Sequence, residues 1–375
     1  MKIACLQFDT QIGKVQDNIH KADETLGSAL GTDDVENKVD VLVLPELAFT
    51  GYVFKSKASI RPYLEHTTSG ISTQWAKQTS RRLRCYTVVG YPELANEYKP
   101  PSRHPRASDP FSETPIDVSD DDEDDKIQDH CYNACVVTSP DGEVVTNYRK
   151  TFLYSTDEIW ASEGSNFGTT TFTFPTNNPS DASGGDAAAA TAVAPTSQNQ
   201  KNITVALGIC MDLNPYKFEA LFTAYEFANH VLSSSAQLVI VPMAWETREA
   251  YSPEALKAHE KAMHRSTVGY WAMRLEPLFG SGEEPDSEDE EELIGTSEKP
   301  EDADREEWEV VSNKERGNVV VVTCNRMGRE NGTLFVGSSA IMNIKKKTAD
   351  SGGSLKRCQA MGMGEEGLMI VEVDI

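Results

Sequence analysis

Three residue types that together can open a carbon–nitrogen bond stand at the ends of three strand-like runs. They are a carboxylate, Glu46, in LVLPELAFTGY (42–52), an ammonium, Lys150, in YRKTFLYSTDEIW (148–160), and a thiol, Cys210, in ALGICMDLNPYKF (206–218). The thiol is a nucleophile, the carboxylate a base for its proton, and the ammonium a partner for the oxyanion that forms during attack. Each has a plainer reading in isolation: a free cysteine is usually core, a strand-end glutamate is a cap or a solvated acid, and a lone lysine snorkels. Three coincident strand ends outweigh those readings and point to an enzyme. Asn214 and Pro215 follow the cysteine as an N-cap and a first helical residue. That places Cys210 at a strand-to-helix turn, where a helix N-terminus and a lysine stabilise thiolate. Glu46 follows Pro45 at the carboxyl edge of a sheet, where open α/β sheets hold ligands.

The elements that must position these groups alternate along the chain. Strand-like runs cover 2–9, 39–46, 86–93, 132–139, 203–210, 238–244, 318–325 and 367–375, most of them apolar on both faces, as in sheets covered by other layers. Between them, Val15, Ile19, Ala22 and Leu26 follow helical spacing, and 71–83, 218–231 and 253–275 read as helices. Such alternation predicts an α/β fold. No point divides the core, so residues 1–375 read as one domain interrupted by low-complexity, disordered insertions at 99–129, 177–200, 280–314 and 345–357.

The formal net charge of −24 is concentrated in two of those insertions: residues 109–129 carry −9 and residues 283–308 carry −12, which leaves about −3 for everything else. The body is therefore nearly neutral and the acidic runs are solvated. Direct nucleic-acid binding does not fit this charge. The seven cysteines are scattered, with no Cys-x-x-Cys pair, which suits a reducing compartment better than a disulfide framework or a zinc ribbon. No apolar stretch approaches the ~18 residues of a membrane span, and the chain opens on KIACLQFD without a leader. A soluble, cytoplasmic or more broadly intracellular protein is expected, with no membrane partner.

The glutamate, lysine and cysteine segments, with LVIVPMAW (238–245) and NRMGRENGTLFVGSS (325–339), resemble the nitrilase, or carbon–nitrogen hydrolase, superfamily. NYRKTFLYSTDEIW, GICMDLNPYKFEA and PMAW are further similar to the branch of that superfamily that converts N-terminal Asn and Gln of proteins to the acids. The resemblance implies a four-layer αββα sandwich, catalysis by Glu46, Lys150 and Cys210 through a thioester, no cofactor, and protein or peptide N-termini as substrate. It also implies a second glutamate after the lysine. Glu158 and Glu163 are available, and Glu158 is favoured because Glu-x-Trp at 158–160 resembles aliphatic amidases. Many relatives form dimers, but the sequence displays no oligomer contact. A free α-ammonium needs buried acceptors, for which Asp212 and Asn133 are candidates by position, with Trp245 as a pocket wall. A helix-start carboxylate, a strand-pairing amide and a core tryptophan are the corresponding plainer roles.

Two readings compete with this one. The first is a related amidase acting on a small amide or carbamoyl compound; the second is a non-catalytic scaffold whose acidic runs bind basic partners. Two literal motif matches fail on context. Gly362 to Gly367 spells GxGxxG but precedes a strand instead of opening a helix, and His259 and His264 are five apart, not the four that a zincin helix requires.

Overall fold

A computed structural model describes residues 1–31, 35–95, 131–175, 200–247, 251–258, 260–280, 318–345 and 354–375. The insertions expected at 99–129 and 280–314, and the acidic runs within them, lie outside the described residues apart from Gly280; so does 177–200 apart from Gln200.

Two six-stranded sheets share one plan. The first runs β15 (Gly367–Glu372), β1 (Lys2–Gln7), β2 (Val41–Val43), β3 (Tyr86–Leu94), β4 (Cys131–Thr138), β5 (Val144–Arg149). The second runs β14 (Ser354–Ala360), β13 (Ala340–Lys345), β10 (Val319–Asn325), β8 (Leu238–Met243), β7 (Gln200–Leu207), β6 (Gly168–Pro175). In each sheet three central strands are parallel, β1-β2-β3 and β10-β8-β7, and antiparallel strands flank them. A small third sheet joins β11 (Met327–Glu330), β12 (Thr333–Val336) and β9 (Glu246–Thr247).

Strand alternation explains the layering. On β1, Ile3 and Cys5 face a core shared with Ile203, Val205, Ile240 and Val322 of the other sheet, while Ala4 and Leu6 face an outer helix layer. The first sheet is covered by α1 (Val15–Leu30), which buries Ala22 and Leu26, and, after the short α2 (Lys57–Ile60), by α3 (Ile71–Leu83), which buries Trp75, Ala76 and Leu83. The second is covered by α4 (Glu226–Ser233) and, after α5 (Pro253–Ala258), by α6 (Arg265–Arg274), through Phe227, Val231, Val268 and Trp271. The result is the αββα sandwich. No described helix is long and apolar enough to cross a membrane.

Three expectations are corrected. The 218–231 run is α-helical only from Glu226, preceded by a 3-10 turn at Phe222–Ala224; Lys217, Phe218 and Tyr225 have positive φ, and the Arg274 guanidinium binds the carbonyls of Leu213 (2.9 Å) and Phe222. The 253–275 run is broken, because its middle bonds across the fold: Met363 N–H donates to Ala262 O (2.9 Å) and Gly364 N–H to Glu260 O (3.1 Å). Those bonds replace the helical ladder, and the Gly362–Gly367 motif supplies the turn that makes them before β15. Finally, residues 354–357, expected within an insertion, belong to edge strand β14, paired along β13.

Candidate active site

Glu46 lies in the turn that follows β2, at the seam of the two sheets, with its N–H toward Met243 O of β8 (3.4 Å). Gly90 admits this turn: a Cβ there would come within 2.6 Å of Pro45 O. The carboxylate is fully buried. Its Oε1 accepts from Lys150 Nζ (2.6 Å) and Asn133 Nδ2 (2.7 Å), whereas Oε2 has no partner among the described residues. Lys150, directly after β5, is equally buried and makes a second ion pair with Asp157 Oδ2 (2.6 Å). Asn133 also donates to Asp157 Oδ1 (2.9 Å), and Tyr52 OH to Asp157 Oδ2 (3.3 Å). Burial opposes the Lys150 charge, but Asp157 and Glu46 outweigh it and hold the ammonium above its ordinary pKa. Burial raises the Glu46 pKa despite Lys150, so its carboxylate is a stronger base than a solvated glutamate.

Cys210 follows β7 across Gly208 and Ile209, with φ of 42°, the left-handed region that L residues seldom adopt. Gly208 is required by close packing, since a Cβ would lie 2.8 Å from the Phe227 ring. The cysteine begins a four-residue 3-10 turn, Cys210–Leu213, and not an α-helix; Asn214 ends that turn instead of capping a helix. The expected stabilised thiolate is therefore corrected. Burial first, then Glu46, push the thiol well above its usual range, against the pull of Lys150 and of the Ala244 N–H bonded to the sulfur. Both effects favour the neutral thiol over the thiolate.

Glu158 does not join the cluster. It is exposed, and Asp157 takes the place expected for it. The turn at 154–161, closed by Asp157 N–H to Tyr154 O (2.7 Å) and Trp160 N–H to Asp157 O (2.9 Å), aims Asp157 inward and Glu158 outward. Glu163 is also exposed and accepts from Tyr216 OH (3.0 Å). Asn133 lies beneath the cluster as an acceptor-bridging amide. Asp212 is fully buried and saturated: Oδ1 accepts the N–H groups of Thr151 (3.1 Å) and Phe152 (2.7 Å), and Oδ2 accepts from Ile209 N–H (2.7 Å) and Tyr148 OH (2.7 Å). It ties the Cys210 turn to the chain after Lys150, and burial holds its pKa up at about 6.

A cavity of about 490 Å³ opens onto Cys210, lined also by Tyr52, Tyr154, Phe218, Trp245 and Glu246. Trp245 is thus a pocket wall, packed edge-on against Trp271. Sequence reasoning missed Asp157, Tyr52, Tyr154 and Glu246. Tyr52 and Tyr154 sit inside the glutamate and lysine segments, and Glu246 directly follows PMAW, so proximity to the motifs was the available signal.

The sequence profile of the carbon–nitrogen hydrolase family matches residues 2–214. The chain belongs to that family. It is 27% identical, over an alignment of 387 residues covering all of both chains, to the protein N-terminal amidase of Schizosaccharomyces pombe. With the protein N-terminal amidase of Saccharomyces cerevisiae it shares 31% identity over 245 residues, 65% of this chain and 45% of that one. A 2-oxoglutaramate amidase of Bacillus subtilis is 27% identical over 170 residues, 44% of this chain and 49% of its own. Among solved structures, an N-terminal amidase crystallised with an Asn-Glu-Ala peptide superposes with a TM-score of 0.68 at 24% identity, covering 100% of this chain and 97% of that one, which bears on the fold.

Proposed function

We propose that this carbon–nitrogen hydrolase deamidates N-terminal Asn and Gln of proteins or peptides to Asp and Glu, releasing ammonia through a Cys210 thioester. The observation that carries the reading is the buried Glu46–Lys150 pair beside Cys210 at a cavity, in a chain aligned along its whole length with a protein N-terminal amidase. Glu46 Oε2, the carboxylate oxygen with no partner, takes the thiol proton as sulfur attacks the carboxamide carbon. Lys150 and the backbone N–H near Met211 receive the oxyanion. Ammonia departs with the proton Glu46 holds, and Glu46 then deprotonates the water that hydrolyses the thioester, freeing the acid and the thiol. Asp157, bridged to Glu46 by the Asn133 amide, gives Lys150 its second carboxylate and positions it, the role expected of Glu158.

Substrate charge favours a terminus over a small dicarboxylic amide. Among the described residues that line the cavity, Glu246 is charged and none is basic, so a substrate carboxylate would meet repulsion and aromatic walls. We also read residues 1–375 as one hydrolase domain and place it inside the cell, consistent with seven cysteines that form no disulfide among the described residues.

Matched peptides starting with Asn, Gln and acetyl-Asn, plus an internal-Asn control, test this by mass spectrometry. A one-dalton gain confined to the free N-terminal Asn and Gln peptides is expected. Turnover of acetyl-Asn and internal Asn at the same rate would overturn it in favour of a general amidase.

A further inference from the structure

The structure assigns Glu246, held by Tyr154, as the acceptor of the substrate's α-ammonium; this inference rests on the proposed N-terminal specificity. Glu246 sits on β9, where its backbone pairs with Phe335 of β12, so the side chain starts from a fixed strand position. Tyr154 OH donates to Glu246 Oε1 (2.9 Å), which fixes the carboxylate at the cavity that also holds Cys210. A carboxylate offers about four acceptor positions, so one phenol leaves capacity for the three donors of an ammonium.

The surroundings suit a cation. Tyr52, Tyr154, Phe218 and Trp245 bring four aromatic rings to the same cavity, and ring faces attract an ammonium. A peptide α-amine, with a pKa near 7.7 to 8, is mostly charged at neutral pH. In N-terminal Asn three bonds separate that nitrogen from the carboxamide carbon, and in Gln four, so one cavity holding both a carboxylate and the thiol can engage both ends of either residue. Of the two positions favoured from sequence for this task, Asp212 has both oxygens occupied by the fold, and Asn133, which gives its Nδ2 to Glu46 and Asp157 and keeps an unpartnered Oδ1 among the described residues, is fully buried and does not line the cavity.

The test pairs an Asn-initiated peptide with its succinamoyl counterpart, identical except that the α-amine is absent. Ammonia release is measured for the wild type, Glu246→Gln and Tyr154→Phe. The wild type should prefer the Asn peptide by about 100-fold in kcat/KM, the scale of one charge-assisted contact. Glu246→Gln should lose most of that preference by slowing on the Asn peptide while staying within about threefold on the succinamoyl peptide. Tyr154→Phe should show the same split at roughly a tenth of the size. The succinamoyl arm reports folding and chemistry independently of the amine. An undiminished preference in Glu246→Gln, or equal loss on both peptides, would overturn the assignment. If the wild type instead released no ammonia from free Asn and Gln peptides, the proposed function itself would fall and this inference with it.

Discussion

Two buried carboxylate sites flank the chain that leads into Cys210, and they differ in how their oxygens are used. Asp212 has all of its hydrogen bonds supplied by the fold: three backbone N–H groups and one phenol saturate both oxygens. Glu46 has one oxygen crowded by Lys150 and Asn133 and the other empty. Both are equally inaccessible to bulk water, so burial alone does not make a carboxylate reactive. An unspent lone pair leaves Glu46 able to take up a proton for which Asp212 has no room, and its desolvation is tolerated because a lysine shares the cluster. With Asp157 added, two carboxylates surround one ammonium, and this excess of negative charge keeps Glu46 ready to accept a proton.

The contrast is sharpened first at the sulfur that the Glu46 site serves. Cys210→Ala should leave a folded protein whose ammonia release falls by at least about 10⁴-fold; appreciable residual turnover would exclude the thioester. Lys150→Met comes next. It strands two buried carboxylates, and unfolding in urea should show a loss of about 3–5 kcal/mol along with activity. Asp157→Asn should slow turnover by roughly 100-fold on the scale of a lost charge-positioning contact, while Glu158→Gln, on the exposed side of the same turn, should stay within about threefold. Reversal of that order would restore Glu158 as the partner of Lys150.

The smallest effect belongs to Asp212 and is read through pH. Its pKa is raised from 3.8 to about 6 in the fold. The native state therefore keeps a proton that the unfolded chain releases across that window, and stability from this group is full below about 4 and is lost as pH rises through 6. Asp212→Asn should remove this slope, so the difference in thermal midpoint between wild type and variant should change between pH 4 and 7 and then level off. A constant difference across that range would show that Asp212 is already charged in the acid-side fold.

The parallel strands and the Glu46 and Cys210 positions were legible because each strand is a continuous apolar run ending in an unlike residue, and Lys150 because it closes the strand-like VVTNYR inside a recognisable segment. Asp157 was not, since the choice between adjacent acids depends on how the 154–161 turn is closed. The 218–231 run misled for a related reason: Phe218, Leu221 and Phe222 have apolar character but are exposed, with Phe218 at the cavity. Strands β11 to β13 were missed where glycine and polar residues punctuate short runs. The thiol's state could not be read either, because the segment after Cys210 spells a helix start and folds as a 3-10 turn.

The pairing of β1 with β15 sets a condition on when this molecule becomes competent. Lys2 lies opposite Glu372, so the sheet that carries Glu46 gains its outer strand only after nearly the whole numbered sequence has been synthesised. Contacts of such long sequence separation form late and slowly. A ribosome-bound chain that has already made Cys210 still lacks β8, against which the β7 strand leading to that thiol is aligned, and β10, which pairs with β8 on its other side. The closing of the sandwich therefore waits on strands made long after that thiol.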